Sequence, residues 1–202
     1  MSRKNLNKGL KLLFVLGIGA YIVYSLYIQL EYRNYIRQSI ERNYQMLSDI
    51  SNIGDNLTDR LSSFVQLSIE QSESSVEVTD ELFTNWRVVN AESRNIDNYT
   101  SIISTLHTGD LETDWSLIQY SLFRVNGFIQ GMTDKFLEQQ AYVVSDEEYE
   151  KMNAVISIYR TISEMVKDES VDLEALLKSI KEPMLVIDDL YQHTLERLGK
   201  DY

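Results

Sequence analysis

The chain has no cysteine. That excludes a disulfide framework, a thiolate-ligated zinc or iron–sulfur site, a thiol nucleophile and a cysteine-linked lipid anchor. It has one proline, Pro183, and eight glycines. All-β folds spend turn residues at every hairpin, so this scarcity points to long helices with few breaks. It has two histidines, His107 and His193. Neither follows an acid by three residues, since position 104 is Ser and position 190 is Leu, so the Glu-x-x-His pairs of carboxylate-bridged metal bundles are missing. A His-Glu-x-x-His helix, a calcium loop, a nucleophile elbow and a phosphate-cradling glycine loop are missing too. The expectation is a non-enzymatic protein with no catalytic, cofactor-binding or metal-ligating set.

Basic charge is scarce after residue 30. Residues 1–30 carry Arg3, Lys4, Lys8 and Lys11 and no acid; the remainder has 15 Lys and Arg against 31 Asp and Glu, a net charge of −16. Phosphate contacts need clustered cations, so nucleic acid is not an expected partner. An acidic surface first of all confers solubility.

What the chain does have is one long apolar run. Leu12 to Leu30 reads LLFVLGIGAYIVYSLYIQL without a charge. As a helix its 19 residues cover about 28 Å, close to the ~30 Å hydrocarbon thickness of a bilayer. Tyr24, Tyr27, Tyr32 and Tyr35 gather at one end, and Lys8 and Lys11 at the other, as at a membrane interface. A cleaved signal peptide is the rival reading, with Ile18-Gly19-Ala20 as a small-residue site. The apolar run continues ten residues past Ala20, which favours an uncleaved anchor. Four Lys and Arg precede the run, and Arg33, Arg37 and Arg42 follow it within fifteen residues. That difference favours a cytoplasmic N-terminus and an extracytoplasmic domain, by a small margin. The expected organisation is a basic tail over 1–11, a transmembrane anchor over 12–30 and an acidic helical domain over 31–202.

The domain reads as helices throughout. Ile36, Ile40, Asn43, Leu47, Ile50, Gly54, Leu57, Leu61, Phe64 and Ser68 alternate spacings of four and three, the period of a coiled-coil seam. Asn43, Gly54 and Ser68 are its flaws. The anchor is free to continue into this helix. Gln71–Ser75 reads as a turn or frayed junction. A second helix is expected over Val78–Leu106, with Leu82, Trp86, Val89, Ile96, Tyr99, Ile103 and Leu106 inward and Gly109 near its C-cap. Trp115, Ile118, Leu122, Val125, Ile129, Met132 and Phe136 mark a third, capped by Asp110 or Thr113. Gly127 and Gly131 beside it either admit a neighbouring helix or weaken this one. Ser145 and Glu148 form a capping box for a fourth helix. Lys167–Ser170 breaks the chain again, and Leu173–Ile180 starts a fifth segment, which Pro183 kinks or restarts. Met184, Ile187, Leu190, Tyr191, Leu195 and Leu198 form the last apolar face. The fold class is all-α: one N-terminal transmembrane helix, then an antiparallel bundle of four or five helices whose first member is long and coiled-coil-like.

Other features have plain structural readings. The acids Asp146, Glu147, Glu148 and Glu150 suit a helix start better than a divalent-cation site. Asp188-Asp189 reads as a solvated face. The sequons Asn56-Leu-Thr58 and Asn98-Tyr-Thr100 fall inside helices and read as chance. Most of the thirteen tyrosines read as inward-facing core residues. The functional expectation is a membrane-anchored interaction module that docks a protein or associates with itself, through seam positions the bundle leaves over. A ligand-sensing bundle is the alternative, with a small ligand in a tyrosine-lined groove. A tail of about eleven residues is too short to signal alone, so such a sensor needs a partner membrane protein.

Overall fold

A computed structural model describes residues 3–73, 79–138, 144–166 and 171–200. Regular structure among them is helical throughout: α1 (Arg3–Glu73), α2 (Thr79–Ile102), a 3-10 turn (Gly109–Leu111), α3 (Glu112–Glu138), α4 (Asp146–Met165), α5 (Leu173–Ile187) and α6 (Tyr191–Arg197). The apolar run and the seam belong to one helix. α1 has 71 residues, about 105 Å at an α-helical rise. Nothing between Leu30 and Ile36 breaks it, because Glu31–Tyr35 contains neither Gly nor Pro. Within α1 lies a stretch long and apolar enough to cross a membrane.

The helices close into a ring: α1 packs on α2, α2 on α3, α3 on α5, α5 on α4, and α4 on α1. Side-chain contacts fix their directions. Asn43 meets Ser104, Asn56 meets Glu92 and Phe64 meets Trp86, so α1 and α2 are antiparallel. Trp86–Thr133 and Gln119–Thr100 make α2 and α3 antiparallel. Gly54 against Tyr159 and Ser68 against Tyr149 do the same for α1 and α4. α5 departs from strict alternation. Its start lies beside Tyr44, whose ring stacks edge-on against Trp115 near the start of α3. Its end, at Asp188, meets Tyr120 and Arg124 farther along α3. α5 therefore runs the same way as α3, inclined across it, and α6 turns back.

The core fills this ring. Leu47, Ile50, Leu57, Leu61, Trp115, Ile129, Tyr159 and Leu177 are among its fully buried side chains. Each buried aliphatic of this size is worth about 1.5–3 kcal/mol of transfer free energy. At the end away from the apolar run, Phe64, Trp86 and Phe136 make a mutual aromatic cluster with centroids 5.0–5.4 Å apart. Trp86 Nε1 donates to Thr133 Oγ1 at 3.1 Å, which lets an indole sit in the core without an orphaned donor.

Several sequence expectations are corrected. α1 runs on to Glu73, through good helix formers, so no turn starts at Gln71; Ser74 and Ser75 lie outside the described residues. α2 ends at Ile102 rather than Leu106, and Leu106 is exposed. Thr113 cannot cap α3 because it lies inside it. Pro183 does not start a new helix: it lies inside α5, which continues through it to Ile187. Leu190 and Leu198 leave the apolar face and are exposed, because the chain turns at Asp188 and Leu190 becomes the N-cap of α6. The expected break at Lys167–Ser170 lies outside the described residues. The capping box is present: Glu148 N donates to Ser145 Oγ and Ser145 N donates to Glu148 Oε2. Asp172 caps α5 by accepting from the backbone of Glu174 and Ala175.

Candidate functional site

The region to examine is the junction where α1 leaves its apolar run and enters the bundle. From Leu12 to Leu30 the large apolar side chains, tyrosines included, are 46–72% exposed. Lys8 and Lys11 lie on the α1 backbone, but their side chains are outside the described residues. Tyr24, Tyr27, Tyr32 and Tyr35 are all exposed. Ile36 and Ile40 are half-buried, and burial is complete from Leu47 onward: Leu47, Ile50, Leu57, Leu61 and Phe64 are 0–1% exposed. The seam is thus consumed by the bundle's own helices, chiefly α2 and α4.

Its three flaws are the places where it meets something particular. Asn43 is fully buried and clips the end of the α2 segment. Its Nδ2 donates to the Ser104 carbonyl at 2.7 Å, and its Oδ1 accepts from the Ser104 amide at 2.8 Å. Both backbone groups sit past the last turn of α2, where no helical partner remains. Gly54 faces Tyr159. A Cβ there would lie 2.9 Å from Tyr159 Cδ1 and 3.2 Å from Cγ. The Tyr159 ring is 0% exposed, so glycine at 54 is what lets it close on α1. Ser68 accepts a hydrogen bond from Tyr149 at 3.0 Å and itself donates to the Val65 carbonyl.

Just outside the seam, the chain after α2 folds back against α1. His107 has φ +61°, a left-handed conformation uncommon for a residue with a side chain. It places the imidazole edge-on to Tyr35 at 5.7 Å and Tyr32 at 6.4 Å. Gly109 follows at φ +63° and opens the 3-10 turn. A second polar centre lies between α3 and the α5–α6 turn. Asp188 is 1% exposed and accepts from Tyr120 at 2.6 Å, Arg124 at 2.9 Å and the Leu190 amide at 3.2 Å. The solvated-face reading of Asp188 is therefore corrected, though Asp189 is exposed. Burial alone would raise the Asp188 carboxyl; the hydrogen bonds from Tyr120, Leu190 and Arg124 outweigh it and hold the pKa below its usual value. Tyr120 moves the other way, pushed up by burial and by its bond to Asp188, so it stays a neutral donor. This pairing ties the turn down rather than offering an open reactive group.

The remaining candidates are quickly placed. Glu148 is buried and paired with Lys135, and Glu147 pairs with Lys151 at 2.7 Å. No three His, Cys, Asp or Glu side chains are grouped for a metal among the described residues. Between them and α3 lies a cleft of ≈ 220 Å³, lined by Gly127, Gly131, Lys135 and Lys151 among others. That is smaller than the roughly 300–1,000 Å³ of common ligand sites. Added Cβ atoms at Gly127 and Gly131 would meet nothing, so these glycines do not serve close helix approach. Both sequon threonines, Thr58 and Thr100, are buried, and Asn56 donates to Glu92 at 2.6 Å. His193 is exposed on α6. Among the described tyrosines Tyr159 and Tyr191 are buried and Tyr44, Tyr99, Tyr120 and Tyr149 pack partly buried against the core, while Tyr21, Tyr24, Tyr27, Tyr32 and Tyr35 are exposed.

Asn43, His107 and Asp188 are the positions that sequence reasoning undervalued. A lone Asn in an apolar seam is a usable signal for a buried polar clip. The partners of His107 and Asp188 lie 64 to 75 positions away in sequence and left no local mark. No family model, curated protein or solved structure matches the chain.

Proposed function

We propose that the chain is a single-pass membrane protein whose residues 12–30 anchor an extracytoplasmic helical bundle, and that the bundle docks a partner protein or a second copy of itself without catalysing a reaction. The observation that carries this reading is the change of surroundings along α1. The helix is apolar on every face over Leu12–Leu30 and touches no other helix there, then becomes one-sided and buried from Leu47. A helix that is apolar all round needs an apolar solvent, and hydrocarbon is the one that fits its length. Because no hinge separates the two parts, a displacement of the bundle is felt in the anchor as a rigid rotation or tilt. The docking surface falls to the outer faces, since the seam is already filled. The cytoplasmic placement of the N-terminus follows from the Lys and Arg balance alone.

Two measurements test the reading. Alkaline carbonate extraction should leave the full chain in the membrane pellet, and a periplasm-active reporter at the C-terminus should be active. Release into the supernatant would sink the anchor; a reporter active only in the cytoplasm would reverse the orientation. Crosslinking in native membranes followed by detergent extraction should give a species larger than the 23.5 kDa monomer. A persistent monomer would count against docking.

A further inference from the structure

The bundle has a second exposed apolar feature, and it lies at the level where the anchor ends. Leu106 is 61% exposed and Ile102 is 53% exposed. Ile102 is the last residue of α2, and Leu106 lies in the segment that leaves it. The height of Leu106 is fixed by its neighbour His107, whose ring contacts Tyr32 and Tyr35. Ile102 stands farther from the anchor, beside the Ser104 that Asn43 holds, about 20 Å beyond Leu30 along the helix axis. Tyr32 and Tyr35 stand two and five residues beyond Leu30, about 3 and 7.5 Å along the helix axis. The polar layer outside the hydrocarbon is about 5–8 Å deep on each side, so both tyrosines, and the His107 ring against them, fall within it. Arg33 is exposed on α1 at the same level.

We infer that the segment around Leu106 and His107 is a second membrane contact: Leu106 dips into the headgroup–acyl boundary of the leaflet that the anchor leaves, and the bundle rests on the bilayer there. The occupant is phospholipid. This inference rests on the reading of residues 12–30 as a span. The loop is also held as such a contact requires. Asn43 pins Ser104 from one side, His107 takes a left-handed backbone to reach the tyrosines, and Leu106 between them is turned outward. One contact off the anchor axis fixes the rotation of the bundle about α1, which an anchor alone leaves free.

The absence of native cysteine makes the test direct. The full chain is reconstituted in phosphatidylcholine vesicles containing a minor fraction of phosphatidylglycerol. A polarity-sensitive fluorophore is attached in turn to Leu106→Cys, Ile102→Cys, Ile22→Cys and Glu81→Cys, and lipids carrying a quencher near the headgroup or deep in the chain are added. Ile22 reports the anchor, and Glu81 reports the exposed far end of the bundle. The expected result is blue-shifted emission at 106, lost on adding the shallow quencher, with 102 and 81 unaffected. The deep quencher should act on 22. Quenching at 22 with none at 106 overturns the inference and leaves the anchor standing. Loss of quenching at 22 as well overturns the anchor and the inference together. A label at Thr105→Cys, next in the chain, keeps the test decisive if labelling at 106 disturbs the loop.

Discussion

The two halves of α1 share one backbone and answer to different surroundings. Phe14 is 71% exposed and Phe64 is 1% exposed, on the same uninterrupted helix. In the first half apolar residues occupy every face. In the second they form one stripe, and each polar interruption of that stripe has a dedicated partner. Polar residues in a helix thus mean different things according to what surrounds it. In the bundle, Asn43, Gly54 and Ser68 are fitted to Ser104, Tyr159 and Tyr149. In the apolar half, Gly17 and Gly19 face nothing within 4 Å. Folding stability should therefore be sensitive to the second half and indifferent to the first.

The sharpest break of this comparison is a pair of equal truncations. Phe64→Ala empties part of the Phe64–Trp86–Phe136 cluster and should lower bundle stability by about 3–5 kcal/mol. Phe14→Ala should change it by no more than about 0.5 kcal/mol. Urea unfolding in mild detergent, followed by tryptophan fluorescence, separates them, because both tryptophans, Trp86 and Trp115, lie in the bundle. Equal losses would mean that the two halves fold as one unit.

Glycine offers the next contrast. Gly54→Val drives a side chain into the buried Tyr159 ring, which contacts the site through its Cβ, Cγ and Cδ1 and cannot swing aside. Overpacking of this kind costs about 1–3 kcal/mol. Gly19→Val meets open space and should leave the bundle's unfolding midpoint where it is. A more local effect of comparable size is expected for Asn43. Asn43→Ala orphans the Ser104 amide and carbonyl, at a cost of about 1–3 kcal/mol if both stay buried and less if water reaches them. Hydrogen exchange should rise first in residues 103–108, whereas Gln29→Ala in the apolar half should alter no bundle amide.

How much of this was legible in the sequence follows from the range of the interactions. The apolar run, the seam, the Ser145–Glu148 capping box and the third helical stripe are set by residues within a few turns of one another, and periodicity reports them. The end of α2 was misplaced because Leu106 continues the apolar period while the chain has already turned; the turn is fixed by Asn43, 61 positions earlier. The flaws in the seam were visible as flaws, but their partners were not. The grouping of the junction tyrosines was legible from their spacing, whereas the histidine that joins two of them depends on a left-handed backbone at a non-glycine position, which composition does not announce.

The last and smallest expected effect concerns Asp188, where two influences oppose each other. Burial favours the protonated acid, while bonds from Tyr120, Leu190 and Arg124 favour the carboxylate and prevail. Its folded pKa is therefore depressed below the unfolded value, which is about 3.9 for Asp. A depressed carboxylate contributes stability that is fully present above the unfolded pKa and is lost as pH falls through the folded one. The bundle should thus lose stability in acid, beginning near pH 4, and Asp188→Asn should remove part of that loss, because an amide oxygen in the Oδ1 place still accepts from Arg124 and the Leu190 amide, the NH2 in the Oδ2 place can donate to the Tyr120 hydroxyl, and the group does not titrate in this range. The informative quantity is the difference between the two proteins from about pH 5 downward, since the other carboxylates titrate in both. Parallel curves would mean that Asp188 keeps the same pKa folded and unfolded, and that the α5–α6 turn is held by the packing of Tyr191 and Leu195 rather than by this charge. Because the same substitution tried in the apolar half has no carboxylate to act on, acid sensitivity is a property of the bundle alone, and the anchoring proposed for Leu12–Leu30 should survive conditions that loosen the helices beyond it.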